Sequence, residues 1–334
     1  WVTATASTGP VPVAVVPAGR DSAGAVAPGP ATRSMCFVML DDGAVDVLHD
    51  AVSPVVTVVV GGYFEPVGSA ASGGRMVSVV PTTIVDTMST TRPFGPAETR
   101  RVTVDAAAPA DASAVVVLVS VLPTDGGWTL HPANADDIPV TLVAGAGSGS
   151  TVVALAAGGF DVTAHDGGHV SIAVVAYVTG ASAAASVEGL FVPTLPTRVL
   201  DTRLLGQPIP AGSSREVALG PPSCGAFALH ITSVAVDGGP EVTAWDAGGS
   251  PLQPRGRIGP GTAGTSTSHR PVIPAGRRGV AIGSWDGEAH VVADLYGWFV
   301  GDRSTTQVPV LGSQPLGIAS VDMESQADEW LDYG

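Results

Sequence analysis

The rest of this chain is organised around one stretch, Phe191-Val192-Pro193-Thr194-Leu195-Pro196-Thr197-Arg198-Val199-Leu200-Asp201-Thr202-Arg203. Pro196 cannot donate a backbone hydrogen bond, so the sequence predicts that a regular strand begins after it. Val199 and Leu200 form a short apolar step, and a carboxylate, a hydroxyl and a guanidinium follow in a row. A strand that ends in this polar triplet is the pattern to look for elsewhere in the chain.

The polar triplet supports two interpretations. Aspartate and threonine side chains bond neighbouring backbone amides, and an arginine fork can hold a carboxylate through two hydrogen bonds. Arg198, Asp201 and Arg203 are therefore predicted either to pin the end of a strand through a turn and a salt bridge, or to bind an anionic or sugar ligand. Most arginine–aspartate pairs near strand ends are structural, which favours the first interpretation.

A degraded copy of the stretch lies about 115 residues earlier, at residues 79–88. Asp86 and Thr87 keep the aspartate–threonine pair, but Thr83 and Met88 stand where the two arginines would be. If the arginines bind a ligand, this copy has lost that ability. If the motif organises a turn, the aspartate–threonine pair suffices.

Three segments end alike, each with an apolar strand, a small residue and an aromatic residue: Val58–Phe64, Ala173–Gly180 and Ala293–Phe299. Asp294 of the third segment has the apolar counterparts Val59 and Ala173, so the fold does not need a carboxylate there in every copy. Each end is preceded by alternating residues around an Asp or Asp-Gly, which predicts a hairpin. Internal similarity of this kind predicts a tandem repeat.

The repeat divides the chain into four predicted parts. These are a partial β module that matches only the later half (1–68), a β module with the degenerate Asp-Thr motif (69–182), a β module with the Asp-Thr-Arg motif (183–302), and an acidic tail (303–334). Residues 180–186 are small and predict a linker. Within the tail, Gln307 to Leu311 is a candidate strand.

The composition favours an all-β protein. Val, Ala, Gly, Pro and Thr dominate, with 43 Gly and 28 Pro, and this favours short strands joined by turns over helices. We predict a tandem of antiparallel β-sandwich or barrel-like modules of about 115 residues, the first of them incomplete.

The charge and the hydropathy exclude some partners. The net charge of −15 argues against nucleic acid, whose phosphates require basic patches. No apolar run reaches membrane-spanning length, so we expect no membrane-spanning segment. Residue 1 is Trp and no signal peptide is present, which predicts a processed product or a fragment.

Few residues suggest chemistry. His165 and His169 flank an Asp-Gly-Gly turn and could face each other across it, but a metal site needs more ligands than these, so we predict no metal and no cofactor. Cys36 and Cys224 lie in different modules and are either bonded or two buried thiols. No Ser/His/Asp or Cys/His pattern with an activating motif is present, so the sequence predicts that the protein is not an enzyme.

Trp285 is the tryptophan most expected to be exposed, because it lies at the predicted tip of a hairpin. Flat aromatic side chains stack on sugars and anchor interfaces. Trp285 is therefore a candidate ligand-binding residue beside Arg198, Asp201 and Arg203.

The run from Tyr177 through Arg203 resembles the DTR-motif β repeats of secreted and cell-surface actinobacterial proteins. The matching residues are Thr179-Gly180-Ala181, Gly189-Leu190-Phe191-Val192-Pro193 and Arg198-Val199-Leu200-Asp201-Thr202-Arg203. Those repeats occur in tandem, often appended to hydrolases or in large surface proteins. The resemblance implies an extracellular, all-β, non-catalytic module over about residues 1–302.

Two functions remain open at this point. An incomplete first module leaves strand edges and an apolar face that something must cover. This predicts an extracellular structural or assembly protein, a surface, filament or virion component that associates with other subunits or with copies of itself. The alternative is a binding region for cell-wall or other polysaccharide, cut from a larger secreted hydrolase.

Overall fold

The structure, a computed structural model, describes residues 2–6, 13–17, 25–27, 33–36, 43–49, 56–60, 62–89, 92–122, 127–134, 140–142, 148–221, 223–237, 239–251, 256–258, 264 and 266–302. These residues form 23 β-strands and no helix. The strands lie in six antiparallel sheets, none of which closes into a barrel within these ranges. The prediction of an all-β fold is confirmed.

Three groups of strands follow one another along the chain. We call them units 1, 2 and 3. Unit 1 comprises β1 (Val2–Ala6), β2 (Val13–Pro17), β3 (Ala25–Ala27), β4 (Arg33–Cys36), β5 (Val45–His49) and β6 (Val56–Val60). Unit 2 comprises β7 (Met76–Asp86), β8 (Glu98–Thr103), β9 (Ala114–Leu122), β10 (Trp128–Pro132), β11 (Val140–Leu142), β12 (Ser148–Ala154), β13 (Gly159–Ala164) and β14 (His169–Val178). Unit 3 comprises β15 (Phe191–Asp201), β16 (Ser213–Val217), β17 (Cys224–Ala235), β18 (Glu241–Asp246), β19 (Gly256–Ile258), β20 (Ser266–His269), β21 (Val272–Pro274), β22 (Val280–Trp285) and β23 (Ala289–Val300).

Units 2 and 3 are each built from two sheets with corresponding strand orders. In unit 2 the orders are β12-β9-β14-β7 and β11-β10-β13-β8; in unit 3 they are β20-β17-β23-β15 and β19-β18-β22-β16, with β21 also pairing with β17. Valines and other β-branched residues dominate the long strands because they pack well on a pleated surface. Unit 1 has three strands in each sheet, in the orders β4-β1-β6 and β3-β2-β5.

Each sandwich has an apolar core between its two sheets. In unit 2 the largest fully buried side chains are Trp128, Leu130, Phe160 and Ile172. In unit 3 the core includes Phe227, Ile231, Ile273 and Ile282. Burial of apolar area on this scale is the main term that stabilises such a fold.

A third apolar cluster joins units 2 and 3. Met76, Val116 and Val175 of unit 2 pack in it with Ala228 and Phe299 of unit 3. These residues come from the outer faces of the sheets that hold β14 and β23. The central sheet of unit 2 is therefore buried on both faces, which explains why β9 reads as a continuous apolar run.

The prediction that a strand begins after Pro196 is wrong. β15 begins at Phe191 and runs through both Pro193 and Pro196. It lies at the edge of its sheet, and its register with β23 shifts between Pro193 and Thr197. An edge position and a bulge remove the need for the hydrogen bonds that proline cannot donate.

The Asp-Gly segments do not form hairpins, which corrects a second prediction. They connect β13 to β14 and β22 to β23, and in each case the two strands belong to different sheets of the sandwich. Gly167 and Asp286 adopt positive φ values of 81° and 58° at these corners. The Asp-Gly segments do form turns, but each turn connects one sheet of the sandwich to the other.

The predicted linker, residues 180–186, and Glu188 after it are held in place by hydrogen bonds from the buried Arg75. The Arg75 side chain donates to the carbonyl oxygens of Ala184 and Glu188, both at 2.8 Å. A Cβ on Gly180 would lie 1.9 Å from the carbonyl oxygen of Asp111, so only glycine fits there. Close packing therefore requires the glycine at position 180, whereas most of residues 181–186 are exposed.

Some predicted features lie outside the described residues. These are the candidate strand Gln307 to Leu311, the rest of the acidic tail, and the side chain of Cys36. Cys224 is buried as a thiol, and its Sγ donates to the carbonyl oxygen of Ala226 at 3.3 Å.

Candidate functional site

The structure brings three of the four predicted site residues together at the end of β15. The buried carboxylate of Asp201 accepts hydrogen bonds from both arginines. Arg203 donates from Nε and Nη2 to its two oxygens at 2.9 and 2.7 Å, and Arg198 donates from Nη1 at 2.9 Å. This forked geometry is the strong form of the arginine–carboxylate pair.

Asp294 on β23 completes the cluster. It lies directly opposite Arg198 in the register of β15 and β23 and accepts from Arg198 Nε at 2.6 Å. Two aspartates and two arginines therefore neutralise one another, and we call these four residues the Arg–Asp clamp. Both guanidinium groups remain about half exposed to solvent, so they face outward although their charges are paired.

Thr202 fixes the clamp to the sheet. It is fully buried, and its Oγ1 accepts from the backbone N–H of Val291 at 2.8 Å while its own N–H donates to the Val291 carbonyl at 3.0 Å. The Asp201 carboxylate also accepts from the backbone N–H of Arg203 at 3.1 Å, which closes the turn. The triplet is thus a turn in which every side chain has a defined partner.

The clamp sets the charge state of Asp201. The hydrogen bonds from Arg203 lower the pKa of Asp201 to about 2, although burial acts in the opposite direction. The hydrogen bond to Asp294 likewise raises the pKa of Arg198. Asp201 therefore stays ionised at neutral pH and is not available there as a general acid.

A row of polar residues extends from the clamp across the outer face of the sheet. Asp294 lies opposite His230 on β17, and His230 Nε2 lies 3.5 Å from an Arg270 nitrogen. Burial, followed by the charge of Arg270, lowers the pKa of His230 well below its usual value. The neighbouring His269 is also buried, and its pKa falls to about 3 for the same reasons. Both imidazoles are therefore neutral at pH 7.

Trp285 lies apart from the clamp, in the other sheet of unit 3. It is half-buried, and its Nε1 donates to Thr243 Oγ1 at 2.7 Å. Its ring stacks on the buried Trp245 with 6.4 Å between centroids. The four predicted residues thus do not form one site.

The two histidines around the Asp-Gly-Gly turn do not face each other. His165 Nε2 lies 2.5 Å from Thr129 Oγ1 in one sheet, and His169 Nδ1 lies 2.6 Å from the carbonyl oxygen of Thr87 in the other. In the part of the chain that the structure describes, no group of three or more His, Cys, Asp or Glu side chains is placed to hold a metal ion.

A cleft of about 230 Å³ lies between units 2 and 3. It is lined by β7 and by the ends of β17 and β23, with Glu188 and Asp302 among its residues. None of the predicted site residues lines it. Across the described ranges, no helix has the length and apolar character needed to cross a membrane.

The sequence did not identify Asp294 as a member of the clamp or His230 as its neighbour. Asp294 was set aside because its counterparts are apolar. One sequence signal was usable for Asp294: this aspartate and both arginines occur in unit 3, whereas the corresponding positions of unit 2 hold Ala173, Thr83 and Met88. Charges that appear together in one copy are expected to contact one another.

The comparisons with known proteins are sparse. No family model and no curated protein matches the chain. An oxalate decarboxylase structure is 11% identical with a TM-score of 0.18, over 70% of this chain and 80% of that chain. A Bacillus subtilis oxalate decarboxylase is 9% identical with a TM-score of 0.17, over 79% of this chain and 85% of that chain. A chain of the lipid-containing bacteriophage PM2 is 9% identical with a TM-score of 0.15, over 89% of this chain and 93% of that chain.

The prediction that the protein is not an enzyme is contradicted by this comparison, because three of the similar chains are oxalate decarboxylases. That prediction rested on the absence of a local motif, and such an absence does not test for a site assembled from distant strands. We therefore withdraw it. TM-scores of this size carry no argument for a particular reaction in this chain.

Proposed function

We propose that this protein is a structural component of an extracellular assembly and associates through its β units with other subunits or with copies of itself. Unit 1 carries the proposal. Among the described residues its strands β5 and β6 lie at sheet edges, and Val60 and Leu48 are exposed at positions that are buried in units 2 and 3. Sheet edges and exposed apolar side chains are surfaces that a protein partner covers.

Val60 and Leu48 illustrate the exposure. Val60 is 67% exposed, whereas Val174 and Leu295 at the equivalent positions of units 2 and 3 are 0% and 8% exposed. Leu48 is 38% exposed, whereas its equivalents Ala164 and Ser284 are buried. Covering such side chains contributes about 25 cal/mol for each Å² of apolar surface removed from water.

The contact between units 2 and 3 supports the same function. Their outer sheet faces already pack on each other through an apolar cluster that includes Val116 and Phe299. Sheet faces of this fold are therefore suited to association. The resemblance to tandem repeats of secreted surface proteins supports an extracellular location, and the net charge of −15 disfavours nucleic acid as the partner.

Negative-stain electron microscopy and analytical ultracentrifugation of the purified protein test this proposal. We expect concentration-dependent oligomers, filaments or particles. Val60→Glu places a charge on the exposed surface of unit 1 and should reduce assembly at least tenfold. Val80→Glu is the matched control, because Val80 is 56% exposed but lies on unit 2. A monodisperse monomer at all concentrations, with protected amides in unit 1, is evidence against an assembly role.

Polysaccharide binding is the second candidate, and the stacked pair Trp245 and Trp285 favours it. An indole that lies on a sheet face can stack on a sugar ring. Co-sedimentation with insoluble cell-wall polysaccharide should detect binding that Trp285→Ala abolishes. His165→Ala is the control, since His165 makes the equivalent contact with a threonine in unit 2. Unchanged binding by Trp285→Ala removes this candidate site.

A further inference from the structure

One two-strand segment closes both sheets in each of units 2 and 3. In unit 2, β7 lies at the sheet edge beside β14, and β8 lies at the edge beside β13. In unit 3, β15 lies beside β23 and β16 lies beside β22. Each segment thus supplies one strand to each sheet of its sandwich.

The segment is attached at the same point in both units. The N–H of Val170 donates to Thr87 Oγ1 at 2.8 Å, and the Thr87 N–H donates back to the Val170 carbonyl at 2.9 Å. The N–H of Val291 donates to Thr202 Oγ1 at 2.8 Å, and the Thr202 N–H donates back at 3.0 Å. The threonine therefore locks the register of the strand.

Unit 1 offers the receiving edges for such a segment. The strand orders place β6 where β14 and β23 lie, and place β5 where β13 and β22 lie. Val56 then occupies the position of Val170 and Val291. Val60 on β6 and Leu48 on β5 are exposed at positions that units 2 and 3 bury.

We infer that β6 and β5 of unit 1 bind a two-strand segment of the β15–β16 type. This inference rests on the proposed assembly function and names the partner segment. The bound segment is an extended strand with apolar side chains on its core face, then an Asp-Thr turn, then a second strand. Its threonine hydroxyl accepts the N–H of Val56, and its core-facing side chains cover Val60 and Leu48.

The choice of this occupant follows from shape and hydrogen bonding. A generic apolar peptide covers the exposed side chains but does not close both sheets at once. A segment with the turn of Asp201 and Thr202 reproduces the contact that two equivalent edges of the same molecule already make. Backbone hydrogen bonds along the added strand supply affinity, and the turn supplies the register.

A synthetic peptide that spans Val187–Leu219 tests the inference with the full chain. Fluorescence anisotropy of the labelled peptide should show saturable binding with one peptide per chain. Hydrogen exchange should show new protection at Val56–Val60 and at Val45–His49. A Thr202→Val peptide keeps the shape but lacks the hydroxyl, and it should bind about tenfold more weakly.

Two protein variants localise the binding. Val60→Glu should abolish peptide binding, and Val80→Glu should leave it unchanged, because only Val60 lies on unit 1. The inference is overturned if the peptide does not bind, if binding protects units 2 or 3 instead of β6, or if the N–H of Val56, which points away from β1, is already protected in the protein alone. If assemblies still form under those outcomes, the assembly function stands and only the partner segment is wrong.

Discussion

Units 2 and 3 use the same turn for the same purpose, but only unit 3 surrounds it with charge. Thr87 and Thr202 make matching pairs of hydrogen bonds to Val170 and Val291. The carboxylate of Asp86 accepts hydrogen bonds from the backbone N–H groups of Met88 and Ser89 at 3.0 and 3.1 Å. The carboxylate of Asp201 accepts one from the backbone N–H of Arg203 at 3.1 Å. The aspartate–threonine pair is therefore a structural device of both units.

The row of residues across the sheet is where the units differ. In unit 3 it contains Arg198, Asp294 and His230. In unit 2 the corresponding row contains Thr83, Ala173 and Leu118. The sheet tolerates either row because, within each row, the side chains that lie opposite one another on neighbouring strands are compatible in charge and polarity. The difference teaches that the Asp-Thr part of the motif carries the fold, whereas the arginines are an addition specific to unit 3.

Lowering the pH should produce the largest difference in stability between units 2 and 3. His269 has a pKa of about 3 in the folded protein and about 6.5 when unfolded. As the pH falls below 6.5, the unfolded state binds a proton that the folded state does not, so stability that is complete above pH 6.5 is lost progressively. At pH 5 the loss for His269 is about 2 kcal/mol, and His230 adds to it.

Hydrogen exchange at pH 7 and pH 5, corrected for intrinsic rates, measures this difference. Amides of β17 and β23 should lose protection, while those of β9 and β14 should lose less, since Leu118 occupies the position of His230 in unit 2. His230→Leu should reduce the pH dependence of unit 3. An equal response of both units would show that the buried imidazoles are not responsible.

Removing the threonine hydroxyls should affect both units alike. Thr202→Val leaves the N–H of Val291 without its acceptor in a buried position, and Thr87→Val does the same to Val170. Each substitution should cost between about 1 and about 2 kcal/mol of unfolding free energy, measured by denaturant titration. Thr→Ser at the same positions keeps the hydroxyl and should cost less. If Thr87→Val does not change the free energy of unfolding, the two turns are not equivalent.

Asp201→Asn should reveal the charge that only unit 3 carries. The carboxylate has a pKa lowered to about 2 by its bonds to Arg203, so its stabilisation is present above pH 4 and is lost as the pH falls toward 2. At pH 7 the substitution should cost about 1 kcal/mol, because one side of the clamp faces solvent. Asp86→Asn in unit 2 should have a smaller effect, because no arginine bonds that carboxylate among the described contacts. Denaturant titrations of both variants at pH 7 and pH 3 measure the two costs, and a cost for Asp201→Asn that does not shrink at pH 3 would contradict a charge effect.

The sequence supported the all-β fold and the members of the clamp on β15, because composition and a repeated local motif report on local structure. It did not reveal that each Asp-Gly corner crosses between sheets, since turn residues specify the bend but not the strand that follows it. The sequence also did not place Asp294 and His230 beside Arg198. Asp294 and His230 are 96 and 32 residues away from Arg198 in the sequence, respectively. Only the register of the folded sheet brings the three residues together.

Exchanging Arg203 and Met88 between the units should produce the smallest change and is the most discriminating test. Arg203→Met leaves Asp201 with Arg198, and the lost fork is about half exposed, so the cost in stability should be about 0.5 kcal/mol. Met88→Arg places a guanidinium beside Asp86 and should gain no more than that. Thermal unfolding of both variants at low and at high salt measures the effects, since screening should weaken them. If Arg203→Met instead leaves stability unchanged but abolishes binding to a polysaccharide or an anionic ligand, the outward-facing guanidinium serves recognition, and the charged row of unit 3 is a binding surface that unit 2 does not have.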